Sequence, residues 1–82
     1  MKIYWHEESK NVIGPRVKEA RVNHKPPLTQ DQLAAKLELM NIKIDRISIS
    51  RIESGNRFVA DYEVIGLSKA LKVSLDWLLL GQ

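Results

Sequence analysis

The chain has 82 residues, a formal net charge of +3 at pH 7 and no cysteine, which excludes several classes of protein. This length supports one small domain, and 44% hydrophobic with 28% charged residues is a globular rather than a disordered composition. Without cysteine there are no disulfides, thiolate metal sites or thiol nucleophiles. Because no apolar run approaches the length of a membrane span and no signal-peptide pattern occurs, we expect a soluble cytoplasmic protein without membrane contact.

The first residues of the chain have no helical or strand periodicity. We therefore interpret residues 1–12 as a loosely held N-terminal arm and residues 13–82 as the folded domain. The first helix is predicted around Pro15, which suits a first helical turn, with a narrow apolar stripe of Ile13, Val17 and Ala20. The prolines at 26 and 27 end it.

The second helix has the clearest start in the sequence. Thr29 and Gln32 have the spacing of a capping box, and Leu28 and Leu33 stand at the two positions of a hydrophobic staple. A third helix is predicted from the cap Asp45 to about Ser54, with Gly55 as a left-handed terminator.

The last two predicted helices complete an all-α fold of five helices. The fourth runs from about Asp61 to Leu71, and the fifth opens at the cap Ser74. In the fifth helix we expect Leu75 and Leu78 to close the core.

The outward face of the third helix is the candidate functional surface. On a helical wheel the residues turned away from the core are Arg46, Ile47, Ser50, Arg51 and Ser54. Arginine binds guanine edges bidentately, serine hydroxyls bind bases or phosphates, and an apolar side chain can contact a thymine methyl group. The loop Gly55–Phe58 adds donors, and the start of the second helix at Thr29 and Gln30 can hold a phosphate. An ordinary polar helix surface is the alternative.

Three segments of the sequence resemble the lambda-repressor/Cro-type (Xre-like) helix-turn-helix family. They are Thr29–Leu37, Ile49–Arg57 and Ala70–Leu78, and the resemblance covers about residues 13–80 in the right order. It implies a DNA-binding domain whose third helix enters the major groove. Carried over by position, the base contacts are Arg46, Ile47, Ser50 and Arg51, and the backbone contacts are Thr29, Gln30, Ser54, Asn56 and Arg57. The resemblance also places a partly buried ion pair at Arg21 and Glu53.

The sequence departs from the family pattern at three places. The segment 38–44 between the second and third helices is longer by roughly five residues, so either the second helix is longer or a loop follows it with Asn41 as a left-handed cap. The loop before Thr29 is also longer, by about two residues. Ala60 stands where a Ser or Thr cap is common, so the fourth helix should start less firmly.

The resulting prediction is a sequence-specific double-stranded DNA-binding transcriptional regulator, a repressor, without enzymatic activity, metal or cofactor. His6 and His24 lack further ligands at plausible spacing for a zinc site. We expect a homodimer on a palindromic operator, joined through the C-terminal end at Trp77–Leu80 or through Tyr4 and Trp5. A protein-interaction module or an antitoxin-type partner with the same fold is the alternative.

Overall fold

The computed structural model describes residues 8–82, which form five α-helices and no β-strand. The helices are α1 (Gly14–Asn23), α2 (Gln30–Glu38), α3 (Arg46–Ser54), α4 (Asp61–Leu71) and α5 (Leu75–Leu80). The predicted all-α, five-helix fold is confirmed. Within the described residues, no helix has the length and hydropathy needed to span a membrane.

One hydrophobic core joins all five helices. Helix α1 packs against α3 and α4, α2 packs against α3 and α4, and α5 packs against α4. The core contains the predicted apolar stripe of α1 and both residues of the predicted staple at the start of α2. Its side chains are Ile13, Val17, Ala20, Leu28, Leu33, Leu37, Ile44, Ile49, Ile52, Val64, Leu67, Ala70, Leu71 and Leu78. Because Ile49 and Ile52 are fully buried, the opposite face of α3 is held toward solvent.

Side chains of the predicted residues cap three helix starts. Thr29 accepts a hydrogen bond from the backbone N–H of Gln32, whose side chain accepts one from the N–H of Thr29, so the predicted capping box is present. Asp45 caps α3 by accepting from the N–H of Ser48 at 2.8 Å, and Ser74 caps α5 by accepting from the N–H of Trp77.

The lengthened segment between α2 and α3 is a loop rather than an extension of α2. Helix α2 ends at Glu38, and Asn41 adopts φ 62°, the left-handed cap position. The N–H groups of Asn41 and Ile42 donate to the carbonyls of Glu38 and Leu37, which is the pairing of a Schellman motif. The loop is anchored because the side chain of Ile42 lies against Gly66 of α4, where a Cβ atom would collide with it.

Part of the predicted N-terminal arm is held against the domain. The N–H of Lys10 donates to the carbonyl of Gly55 at 2.8 Å, and the Asn11 side chain donates to the carbonyls of Ile52 and Arg57. The interpretation of a loosely held arm therefore does not apply to residues 9–11. The expectations for Tyr4, Trp5 and His6 concern residues outside those that the structure describes.

The C-terminal helix contributes less to the core than expected. Leu78 is fully buried, but Leu75 is 40% exposed, so the prediction that both residues close the core is wrong for Leu75. Helix α5 has only six residues, and its first turn lies at the edge of the core. Arg16 of α1 binds the end of α5 by donating to the carbonyls of Leu78 and Leu79.

Candidate nucleic-acid interface

The outward face of α3 presents the side chains that the sequence placed there. Its exposed residues include Arg46, Ile47, Ser50, Arg51 and Ser54. The exposed fraction of Ile47 is 53%, so this face also offers a branched apolar side chain to solvent. This face therefore combines two guanidinium groups, two hydroxyls and one apolar group in open solvent.

The start of α2 lies beside this face. Gln30 shares a shallow groove with Ser50 and Ser54 of α3 and with Lys18 of α1. Thr29 and Gln30 also line a second groove with Arg46. Residues from the start of α2 and from the exposed face of α3 therefore form one continuous surface, which also includes Lys18.

An ion pair between α1 and α3 sets the orientation of α3. The guanidinium of Arg21 donates from Nε to Glu53 Oε2 at 2.7 Å and from Nη2 to Glu53 Oε1 at 3.0 Å. The two side chains are only 13% and 6% exposed. The hydrogen bond from Arg21 to Glu53 outweighs the effect of burial and raises the pKa of Arg21 above its ordinary value, so this arginine stays charged.

Gln30 belongs to the same hydrogen-bond network. Its Nε2 donates to Glu53 Oε1 at 3.1 Å, and the side chain is half-buried. An amide nitrogen carries two hydrogens, so one of them remains for another acceptor. The position of Gln30 on the surface is thus fixed through Glu53 to both α1 and α3.

An acidic side chain reaches the surface from α2. The outward face of α3 contains no Asp or Glu, but Asp31 Oδ1 lies 3.7 Å from Arg46 Nε. Both side chains are more than half exposed, at 77% and 56%, so this pair is screened by solvent. Sequence reasoning missed this proximity because the two residues are far apart along the chain.

The loop after α3 is ordered by hydrogen bonds at both of its ends. Gly55 adopts φ 82°, and the N–H of Asn56 donates to the carbonyl of Arg51 at 2.8 Å. Asn56 is exposed and its Nδ2 donates to Ser54 Oγ. At its start, therefore, the loop continues directly from the outward face of α3.

Arg57 is engaged in an ion pair that the sequence analysis did not identify. Its Nη1 and Nη2 donate to the two carboxylate oxygens of Glu63 at 3.0 and 3.2 Å. Burial opposes ionisation of Glu63, but hydrogen bonds from Arg57 and from the N–H of Ala60, with the charge of Arg57, lower its pKa. One feature of the sequence could have drawn attention to Glu63. Ala60 and Glu63 have the spacing of the first and last residues of a capping box, although Ala60 lacks the capping hydroxyl.

Asn11 is a second residue that sequence reasoning missed. It binds the end of α3 and the following loop, yet it lies 41 and 46 residues away from its carbonyl partners. No local pattern in the sequence marks it. Across residues 8–82, no group of His, Cys, Asp and Glu side chains has an arrangement that suits a metal ion.

Comparison with solved structures shows the same architecture in two regulators. The P22 c2 repressor, in a complex with the synthetic operator 9T, is 26% identical with a TM-score of 0.70, and the match covers 88% of this chain and 98% of that one. The restriction-modification controller protein C.AhdI from Aeromonas hydrophila is 27% identical with a TM-score of 0.66, over 80% of this chain and 86% of that one. A search of curated protein sequences finds no match.

The model of the helix-turn-helix family matches residues 17–78, which include α2, α3 and the surface described above. This range covers most of the chain and begins and ends within the five-helix domain. The chain belongs to the lambda-repressor-like helix-turn-helix family of DNA-binding transcription regulators.

Proposed function

We propose that this protein is a sequence-specific double-stranded DNA-binding repressor that inserts α3 into the major groove. The exposed face of α3 carries the proposal, because its guanidinium, hydroxyl and apolar groups suit base edges. The similar P22 c2 repressor is bound to an operator, which supports the same mode of binding here. Such a regulator acts in the cytoplasm.

The base contacts in this proposal come from four side chains of α3. Arg46 and Arg51 bind guanine edges, Ser50 bonds to a base, and Ile47 contacts a thymine methyl group. All four side chains are exposed, and Arg46 Nε lies 3.7 Å from Asp31 Oδ1. Since Asp31 and Arg46 are solvent-exposed, a base can replace the carboxylate as the partner of Arg46 at small cost.

The backbone contacts come from the ends of α2 and α3 and from the loop. Thr29 and Gln30 lie beside the outward face of α3, Ser54 lies at the end of that face, and Asn56 and Arg57 follow it along the chain. Gln30 and Arg57 are already bound to Glu53 and Glu63, so they contact phosphate through their remaining donors. These contacts set the register of the protein on DNA and carry no sequence information.

The proposed active form is a homodimer on a palindromic operator. One helix reads only a few base pairs, and two-fold symmetry places two copies of α3 about 34 Å apart on one face of the duplex. The C-terminal end is the proposed contact, because Leu79 and Leu80 are 39% and 66% exposed. Residues 59–82 carry two bases and three acids, a net −1 that suits a surface directed away from DNA.

An interaction module or antitoxin-type partner is the second candidate, favoured by the same exposed leucines. The two candidate functions differ in whether the arginines of α3 bind DNA. Selection of duplexes from a random pool by the purified protein separates them. Recovery of a palindromic consensus supports the repressor, and a pool that shows no enrichment contradicts it.

Substitution of single arginines tests the division between base and backbone contacts. We expect Arg51→Ala to lose about 1–3 kcal/mol of binding free energy that discriminates between bases at one position of the operator. Arg57→Ala should weaken binding to operator and to random DNA by the same factor. It should also lower by about one the slope of the logarithm of the binding constant against the logarithm of the salt concentration. Arg57→Ala also removes the ion-pair partner of Glu63, so a loss of affinity could come from the fold. Asn56→Ala breaks no ion pair and is therefore the better variant for testing contacts with the DNA backbone. Equal losses on all sequences for Arg51→Ala and Asn56→Ala would contradict this division.

A further inference from the structure

Asn11 binds three separate parts of the domain through one side chain. Its Nδ2 donates to the carbonyl of Ile52 at 3.1 Å and to the carbonyl of Arg57 at 2.9 Å, and its Oδ1 accepts from the N–H of Gly14 at 2.8 Å. Both amide hydrogens and the amide oxygen are therefore used. These partners belong to the last turn of α3, the loop after it and the first turn of α1.

The backbone around Asn11 closes on the same place. The N–H of Lys10 donates to the carbonyl of Gly55, and the side chain of Ser9 lies where a Cβ atom on Gly55 would stand. At Gly14, a Cβ atom would collide with the carbonyl oxygen of Ile52, so the start of α1 rests directly on the end of α3. Residues 9–11 thus form a strap across the junction of α3 and the loop 55–57.

The loop needs such a support more than α3 does. Helix α3 is held independently by the buried side chains of Ile49 and Ile52 and by the Arg21–Glu53 ion pair. The loop 55–57 carries no buried apolar side chain of its own. Its carbonyls are held by Lys10 on one side and Asn11 on the other, and its arginine is held by Glu63.

We propose that Asn11 is a positioning residue for DNA binding. It holds the loop 55–57 in the position from which Asn56 and Arg57 contact the phosphates of DNA. It makes no contact with DNA itself and acts through the carbonyl of Arg57 and the end of α3. The proposal rests on the proposed function, since the loop contributes backbone contacts there. Because those contacts are independent of sequence, loss of Asn11 lowers affinity for every duplex by the same factor.

Asn11→Asp isolates this role from simple removal of the side chain. The carboxylate keeps the shape and the acceptor for the N–H of Gly14, but it loses both donors and faces two carbonyl oxygens. Asn11→Ala removes all three bonds without adding a charge. Asn41→Asp is the matched control, since it adds the same charge at an exposed left-handed position beyond the far end of α2.

The measurement is the dissociation constant for a selected operator duplex and for a scrambled duplex, each multiplied by the folded fraction of the variant from circular dichroism to give the affinity per folded molecule. We expect both Asn11 variants to bind both duplexes about tenfold more weakly per folded molecule, with an unchanged ratio between the duplexes. Asn41→Asp should bind as the wild type does.

Two results would overturn the proposal while leaving the function intact. One is wild-type affinity per folded molecule in both Asn11 variants, which reduces Asn11 to a role in folding. The other is a loss confined to the operator, which places the effect in α3 rather than in the loop. If the wild-type protein binds neither duplex, the proposed function fails and this inference fails with it.

Discussion

Side chains from α1 and α2 meet at one carboxylate of α3. Glu53 accepts two hydrogen bonds from Arg21 and one from Gln30, and its side chain is 6% exposed. A buried charge of this kind is tolerated because its lone pairs are satisfied by charged and polar donors. The Gln30–Glu53 bond joins α2 to α3, the two helices that present the candidate interface, and the Arg21–Glu53 bonds join α3 to α1.

We expect Glu53→Ala to lower the free energy of unfolding by about 3–5 kcal/mol, because Arg21 remains buried without its counter-charge. Urea denaturation followed by circular dichroism measures this change. Asp31→Ala is the control, since its exposed pair with Arg46 should contribute only about 0–1 kcal/mol. An unchanged midpoint in Glu53→Ala would contradict a structural role for the pair.

The Arg57–Glu63 pair makes stability depend on pH in the acid range. The pKa of Glu63 is lower in the folded chain than in the unfolded one, so its contribution is fully present above the unfolded value of about 4.3. The contribution is lost as the pH falls through the folded pKa, because protonation breaks the pair.

We therefore expect the wild-type free energy of unfolding to fall as the pH is lowered below about 5, and Glu63→Gln to show a smaller fall. Urea midpoints measured from pH 6 to pH 3 give both curves. Some slope should remain in the variant, since the N–H of Ser48 also lowers the pKa of Asp45. Parallel curves for the two proteins would show that Glu63 is not the source.

At the scale of single helices, α4 lacks a side-chain cap at its start. Ala60 has the extended backbone of an N-cap residue, with φ −72° and ψ 157°, but it has no side-chain acceptor. Glu63 compensates in part, because its carboxylate accepts from the N–H of Ala60 at 2.9 Å. The start of α4 is thus formed by half of a capping box.

We expect Ala60→Ser to raise the free energy of unfolding by about 0.5–1 kcal/mol, because the hydroxyl can accept from an N–H of the first turn without a change in backbone. The thermal midpoint should rise accordingly. Ser74→Ala, which removes an existing cap on α5, should lower it and serves as the opposite control. A lower midpoint in Ala60→Ser would mean that the new hydroxyl disturbs the Arg57–Glu63 pair.

The loop between α2 and α3 changes the length of the connection and keeps the packing of the two helices. Asn41 ends the turn after α2, Ile42 packs against Gly66 of α4, and the side chain of Ile44 enters the core just before the cap of α3. Each step is fixed by an apolar anchor or a hydrogen bond. The extra residues are accommodated at the surface, as expected for a loop insertion.

At the scale of the whole molecule, the proposed function predicts the number of copies on one operator. A net charge of +3 gives only a small overall attraction to DNA, and one α3 reads only a few base pairs, so the proposed function predicts two copies joined at their C-terminal ends on a palindromic duplex. Sedimentation of the protein with such a duplex measures the stoichiometry. One protein per duplex at saturation would contradict the dimer.

Charge substitution tests the proposed contact surface of that dimer. Leu80→Glu places like charges across the two-fold axis, so it should reduce operator affinity and favour single occupancy. Leu39→Glu adds the same charge at a leucine that is 87% exposed at the end of α2, and it should have little effect. Equal effects of both variants would argue against the C-terminal end as the contact.

The sequence by itself determined the helices and their faces. Caps such as Thr29, Asp45 and Ser74, the left-handed cap at Gly55 and the apolar periodicity of α3 all act within one helical turn, so they are visible in a short stretch of sequence. For the same reason the wheel of α3 separated the buried Ile49 and Ile52 from the exposed side chains.

The tertiary structure decided which distant side chains meet. The contact of Asn11 with Ile52 and Arg57 and the approach of Asp31 to Arg46 depend on how separate helices pack, and no local period records that. The exposure of Leu75 likewise depends on where a six-residue helix ends against α4. Local hydrogen bonds and periodicity therefore determined the elements, while core packing determined the network that holds the candidate interface in place.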